Sequence, residues 1–66
     1  MKVIINGEPH ELEPDATVGH AVRAVTSVTA GVAAAVNDAV VSRAGWDDTR
    51  IAEGDRVEVL TAVQGG

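Results

Sequence analysis

The chain has 66 residues, 10 acidic against 5 basic side chains, a net charge of −5 and no cysteine. This length allows one domain and leaves too little material for a deep pocket, so we do not expect a self-sufficient enzyme. The acidic charge argues against nucleic acid as a partner, and the lack of cysteine excludes disulfides and thiolate chemistry.

The first element predicted is a β-hairpin. The β-branched run Val3–Ile5 is typical of a strand, and Asn6-Gly7 is a strong signal for a hairpin turn. Glu8-Pro9 is also expected to belong to the turn. The alternation of polar and apolar residues in His10–Glu13 predicts a returning strand, with Leu12 facing inward.

A helix follows the hairpin, with Thr17 as its N-cap. Apolar residues at helical spacing form one stripe: Val18, Ala21, Val22, Val25 and Val28. The segment from Thr29 to Gly31 is expected to end the helix, because glycine suits the residue after a helix.

The second half predicts short strands and turns. In chain order these are a strand at Val32–Val36, a turn at Asn37-Asp38, a strand at Val40-Val41, an irregular stretch at Ser42–Thr49, a turn at Glu53–Asp55 and a final strand at Arg56–Val63. Val57 and Val59 share one face of the last strand, and Leu60 lies on the other.

This order predicts an α+β fold in which one helix packs on one face of a mixed sheet of four to five strands. The first and last strands hold the most β-branched residues, so they are expected to form a parallel central pair with the other strands outside. The predicted core is Val3, Ile5, Leu12, Val18, Val22, Val25, Val36, Val41, Val57 and Val59.

The other polar residues of the sequence do not form a recognisable site. His10 and His20 have no paired nucleophile in the pattern and are interpreted as surface residues. The acids of the turns (Asp47, Asp48, Glu53 and Asp55) lack the spacing of a calcium loop, so no metal site is expected. Trp46 is expected to pack at the core edge, and Arg43 to lie on the surface.

The chain ends in Gly65-Gly66 directly after the final strand. Glycine has no Cβ, so such an end can enter a narrow channel and present its carboxylate. We therefore divide the chain into a folded domain, 1–63, and a flexible tail, 64–66.

Motifs along the whole chain resemble one family. They are Met1–Gly7, Thr17-Val18, Ala35-Val36-Asn37 with Val40-Val41, Arg43 and Trp46, then Glu53–Glu58, and last Val63–Gly66. Together they resemble the ubiquitin-like β-grasp sulfur carriers, and most closely the ThiS family of thiamine biosynthesis. Ser42 and Gln64 depart from residues common in that family.

The resemblance implies a chemistry for the tail. An adenylating enzyme of the E1-like, ThiF type would join the Gly66 carboxylate to AMP from ATP. Sulfur from a donor such as a cysteine desulfurase would then give a thiocarboxylate, which a ThiG-type thiazole synthase consumes. Gln64 and Gly65 would thread into the partner. The partner would supply ATP and metal, so this chain would be a co-substrate with no cofactor of its own.

A docking surface is predicted on the side of the sheet away from the helix. Strand parity places Ile4, Ala35 and Leu60 there, and an apolar cluster near a reactive tail favours partner binding. No segment is suited to a signal peptide or a membrane span, so a cytoplasmic protein is expected. Three alternatives stay open: a molybdopterin-type sulfur carrier, a ubiquitin-like protein modifier, and a non-covalent β-grasp interaction module.

Overall fold

A computed structural model describes residues 1–27 and 30–61, which form one helix packed on a five-stranded mixed sheet. The elements are β1 (Lys2–Ile5), β2 (Glu8–Glu11), α1 (Val18–Val25), β3 (Val32–Val36), β4 (Ala39–Val41), a 3₁₀ turn (Arg43–Gly45) and β5 (Arg56–Thr61). The strand order is β2-β1-β5-β3-β4, with β1 and β5 parallel and the other neighbours antiparallel. The predicted α+β fold with a parallel central pair is confirmed.

The first hairpin turns more tightly than expected. Asn6-Gly7 has positive φ at both residues, 53° and 83°, as a two-residue turn of type I′ requires. The register therefore pairs Ile5 with Glu8, and β2 begins at once. The prediction that Glu8-Pro9 belongs to the turn and that His10–Glu13 is the strand was wrong by two residues. Pro9 is tolerated in β2 because this is an edge strand, where its missing N–H costs no ladder bond.

The core lies between α1 and the sheet. Its buried apolar residues are Val3, Ile5, Val18, Ala21, Val22, Ala34, Trp46, Ile51, Val57 and Val59. Leu12, Val36 and Val41 are partly buried against this cluster. The predicted register of β5 is confirmed, because Val57 and Val59 face the helix while Leu60 is exposed.

Val25 was wrongly placed in the core. The helix ends at Val25, and Thr26 already has extended backbone, φ −151° and ψ 146°. Val25 is consequently 39% exposed. The prediction for Val28 and Thr29 lies outside the described residues.

The stretch between β4 and β5 packs on the start of the helix. The Val18 and Gly19 N–H groups donate to the carbonyls of Thr49 and Trp46 at 2.9 and 3.1 Å. The first N–H groups of a helix have no partner within it, so the loop satisfies two of them. The Trp46 indole is buried and donates to the Val41 carbonyl at 3.0 Å, which confirms its predicted packing role.

Candidate functional site

The final strand β5 carries the chain toward its terminal glycines from the middle of the sheet. It lies between β1 and β3, and its described residues end at Thr61. The predicted reactive and threading residues Gln64, Gly65 and Gly66 lie outside the described residues. The division into a folded domain, 1–63, and a tail therefore stays a prediction.

Two asparagines hold β5 along its edges, and both occupy the first position of a two-residue turn with positive φ. Asn37 holds the start of the strand: its Oδ1 accepts the Arg56 N–H at 3.0 Å, and its Nδ2 donates to Asp55 at 3.1 Å. Asn6 holds the far end: its Oδ1 accepts the Val59 N–H at 2.9 Å, and its Nδ2 donates to the Val59 carbonyl at 3.2 Å. The strand nearest the tail is thus bonded to side chains as well as to its neighbouring strands.

The face of the sheet opposite α1 contains the three residues predicted to dock a partner. Ile4 is opposite Arg56, and Ala35 is opposite Glu58. Leu60 is four residues beyond Arg56 on β5, which corresponds to about 13 Å along a strand. Ile4 is therefore separated from Leu60, with the charged side chains of Arg56 and Glu58 between them.

A more continuous apolar strip lies beside Leu60. Ala33 is directly opposite Leu60, Ala35 is the next residue on this face of β3, and Val40 is opposite Ala35 on β4. Leu60 is 69% exposed and Val40 81% exposed. We call Ala33, Ala35, Val40 and Leu60 the apolar strip. Sequence reasoning missed Val40, although placing Val41 against the core already implies that Val40 faces away.

Charges border the apolar strip. Glu58 is exposed on the face of the sheet opposite α1, and Arg56 pairs with Asp38 at 3.4 Å. Both partners of this pair are solvent-exposed, so it contributes at most about 1 kcal/mol. These charges remain available to a partner at little cost in stability.

The two histidines lie away from the apolar strip. His20 is the third residue of α1, and its Nδ1 accepts the Thr17 N–H at 2.9 Å. This is the capping-box role usually filled by Glu or Gln. His10 is half-buried on β2 opposite Val3.

Metal ligands and enclosed space are also lacking in the described parts of the chain. Within residues 1–27 and 30–61, no three His, Asp or Glu side chains are grouped to hold a metal ion. The same residues enclose no pocket. No helix among them is long and apolar enough to cross a bilayer.

Comparisons with known proteins identify a family and a longer relative. The family model described as the ThiS family matches residues 3–66. A thiazole synthase of Magnetococcus marinus is 35% identical over 66 residues, which is 100% of this chain and 20% of that protein. The chain thus spans about a fifth of the length of this relative.

Two solved structures share the fold over the whole chain. The crystal structure of a thiamine biosynthesis protein (ThiS) from Geobacter metallireducens has a TM-score of 0.78 and 29% identity, and covers 100% of both chains. The solution structure of a thiamine biosynthesis protein from the same organism has a TM-score of 0.77 and 29% identity, covering 100% of this chain and 88% of the other.

Proposed function

The chain belongs to the ThiS family of thiamine-biosynthesis sulfur carriers, and on that premise we propose that it carries sulfur as a thiocarboxylate on Gly66. The observation that carries the proposal is the match of the family model to residues 3–66, which includes the terminal glycines. Their position after β5 fits this use. Thr61 precedes Gly66 by five residues, and a fully extended tail of that length reaches about 17 Å.

The proposed chemistry has two steps. A Gly66 carboxylate oxygen attacks the α-phosphorus of ATP, the bond to pyrophosphate breaks, and an acyl-adenylate forms. A hydrosulfide equivalent then attacks the carbonyl carbon, the bond to AMP breaks, and the thiocarboxylate remains. Adenylation is needed because a carboxylate carries negative charge and has no good leaving group.

The partner enzyme is proposed to supply what this chain does not. A ThiF-type adenylating enzyme would bind ATP and its metal, which stabilise charge on the phosphates during transfer. The carrier would act as a co-substrate that positions its own tail. A cysteine desulfurase or similar donor would provide the sulfur as a protein persulfide, and a thiol reductant would release it as hydrosulfide for the second step. The reactions would take place in the cytoplasm.

A ThiG-type thiazole synthase is the proposed acceptor of the sulfur. The support is the relative named thiazole synthase, in which a segment similar to this whole chain makes up 20% of the protein. Joining two modules in one chain raises the effective concentration of each for the other. The same match and the two thiamine biosynthesis structures favour thiamine over molybdopterin as the pathway.

The apolar strip, with Ile4 at some distance from it, is the proposed docking surface for the adenylating enzyme. Exposed apolar side chains grouped on one face are typical of interaction sites. The acidic net charge of −5 suits a partner surface with basic residues, because such charges steer the encounter.

Intact mass spectrometry tests the carrier chemistry. Incubated with the adenylating enzyme, ATP and a sulfur source, the native chain should gain the mass difference between sulfur and oxygen. A chain with one residue added after Gly66 should stay unmodified because its new carboxylate lies one residue too far along the channel. A chain lacking Gly66 should stay unmodified because its tail is one residue too short.

Gly65 supplies a graded control for the same assay. Gly65→Val should block the modification, since a β-branched side chain would fill a channel sized for backbone, while Gly65→Ala should reduce it less. Sulfur on the extended chain would overturn the terminal-thiocarboxylate proposal. A native chain that stays unmodified, or appears linked to lysine of another protein, would favour the interaction module or the modifier.

A further inference from the structure

The far end of β5 is held unequally on its two sides. On the β3 side, the antiparallel register continues to the end of the described strand, with Val59, Leu60 and Thr61 opposite Ala34, Ala33 and Val32. On the β1 side, the parallel register ends at Ile5 opposite Val57, because the chain then turns into the first hairpin. The backbone of β1 therefore does not reach Val59.

Beyond the end of β1, the Asn6 side chain bonds the β5 backbone in place of a β1 peptide group. The Asn6 main-chain N–H still donates to the Val57 carbonyl at 2.9 Å, at the point where the parallel register of β1 and β5 ends. Its amide group then bonds both the N–H and the carbonyl of Val59, two residues further on. An amide side chain can do this because it carries an acceptor and a donor side by side, as a peptide group does.

We propose that Asn6 is a positioning residue for sulfur loading, in that its amide fixes the end of β5 from which the tail departs. This inference rests on the proposed carrier function. Val59 precedes Gly66 by seven residues, so the position of the strand end sets the point from which the tail must reach the reaction centre. Small misplacements of a reacting group can lower the rate by up to about 100-fold.

Asn37 provides a matched control at the other end of the same strand. It also occupies the first position of a two-residue turn, with φ 50° against 53° for Asn6, and it also bonds the β5 backbone. Its contact is at Arg56, where β5 begins, so its loss should not alter the strand end next to the tail. Glycine tolerates positive φ at both positions, so Asn6→Gly and Asn37→Gly each remove the amide while keeping the turn.

The experiment measures pyrophosphate release by the adenylating enzyme at varied carrier concentration. A variant that is merely unstable lowers the fraction of competent carrier, which raises the apparent KM and leaves kcat unchanged. A variant that docks normally but presents its tail poorly lowers kcat. We expect Asn6→Gly to lower kcat by about 10- to 100-fold with KM little changed, and Asn37→Gly to leave kcat unchanged.

Asn6→Asp tests the two bonds separately. Aspartate can still accept the Val59 N–H but cannot donate to the Val59 carbonyl, so its kcat should fall between those of the native chain and Asn6→Gly. Equal kcat values for Asn6→Gly and Asn37→Gly would overturn the proposal, as would an Asn6→Gly effect confined to KM.

Hydrogen exchange at Val59 separates failure of this inference from failure of the carrier function. The Val59 amide should exchange at least about tenfold faster in Asn6→Gly than in Asn37→Gly, because only the former loses its acceptor. If the native chain is not adenylated at all, the carrier proposal fails. Slow exchange at Val59 in Asn6→Gly would refute the proposed role of the Asn6 side chain, whether or not the chain is adenylated.

Discussion

Replacing Val57 by alanine tests the packing on which the sheet depends. Val57 is 1% exposed and is paired with Ile5 on one side and Val36 on the other. Val57→Ala removes two carbon atoms, worth about 0.8 kcal/mol each in lost burial, and leaves a cavity that neighbouring elements fill only in part. We expect the free energy of unfolding to fall by about 1.5–3 kcal/mol.

Val40→Ala is the matched control, because Val40 is a strand valine that is 81% exposed. The same chemical change there should alter the free energy of unfolding by no more than about 0.5 kcal/mol. Urea titration of both variants gives the two values, and the slope with denaturant should stay constant if only stability changes. A domain of this size has roughly 3–10 kcal/mol in total, so the loss at Val57 is easily measured. Equal effects at Val57 and Val40 would refute the assignment of the buried face.

Three further predictions concern the surface, the helix and the tail. Leu60→Asp should raise the KM for adenylation and leave the fold nearly intact, because the new carboxylate stays solvated; unchanged kinetics would exclude the apolar strip as the interface. His20→Ala should lower the free energy of unfolding by about 1 kcal/mol, since the Thr17 N–H loses its acceptor, whereas His20→Gln should retain most of it. In solution, NMR relaxation of residues 64–66 should show fast, large motion in the free protein, and rigid backbone there would contradict a tail that orders only on binding.

Sequence patterns predicted the features that depend on periodicity and on turn chemistry. The alternation around Val57 identified the buried face of β5, and Asn6-Gly7 identified the first turn. The start of β2 was missed because Pro9 looks like a strand breaker, and only the two-residue turn places it on an edge where its missing N–H does no harm. The exposure of Val25 was missed because the apolar stripe continues past the point where the helix ends.

The contacts of Asn6 were beyond the reach of sequence reasoning. Its amide meets Val59 across 53 positions of the chain, and a local pattern carries no information on such a pair. The sequence indicated the turn that gives Asn6 its positive φ, but the parallel register of β1 and β5 decides what the side chain then bonds. The predicted docking residues show the same limit. Strand alternation predicts that Ile4, Ala35 and Leu60 share one face, but only the strand register shows that Ile4 lies away from Leu60.

The parallel pairing of β1 with β5 also has a consequence for how the protein is made. The ribosome delivers β1 first, yet one of its neighbours in the sheet is the last of the described strands to be synthesised. Contacts this distant in sequence form late and slow folding. A nascent chain that lacks β5 has no centre for its sheet, so α1 has little to pack against. The helix and sheet should therefore fold only after β5 has been synthesised, and a chain terminated before β5 should stay unfolded.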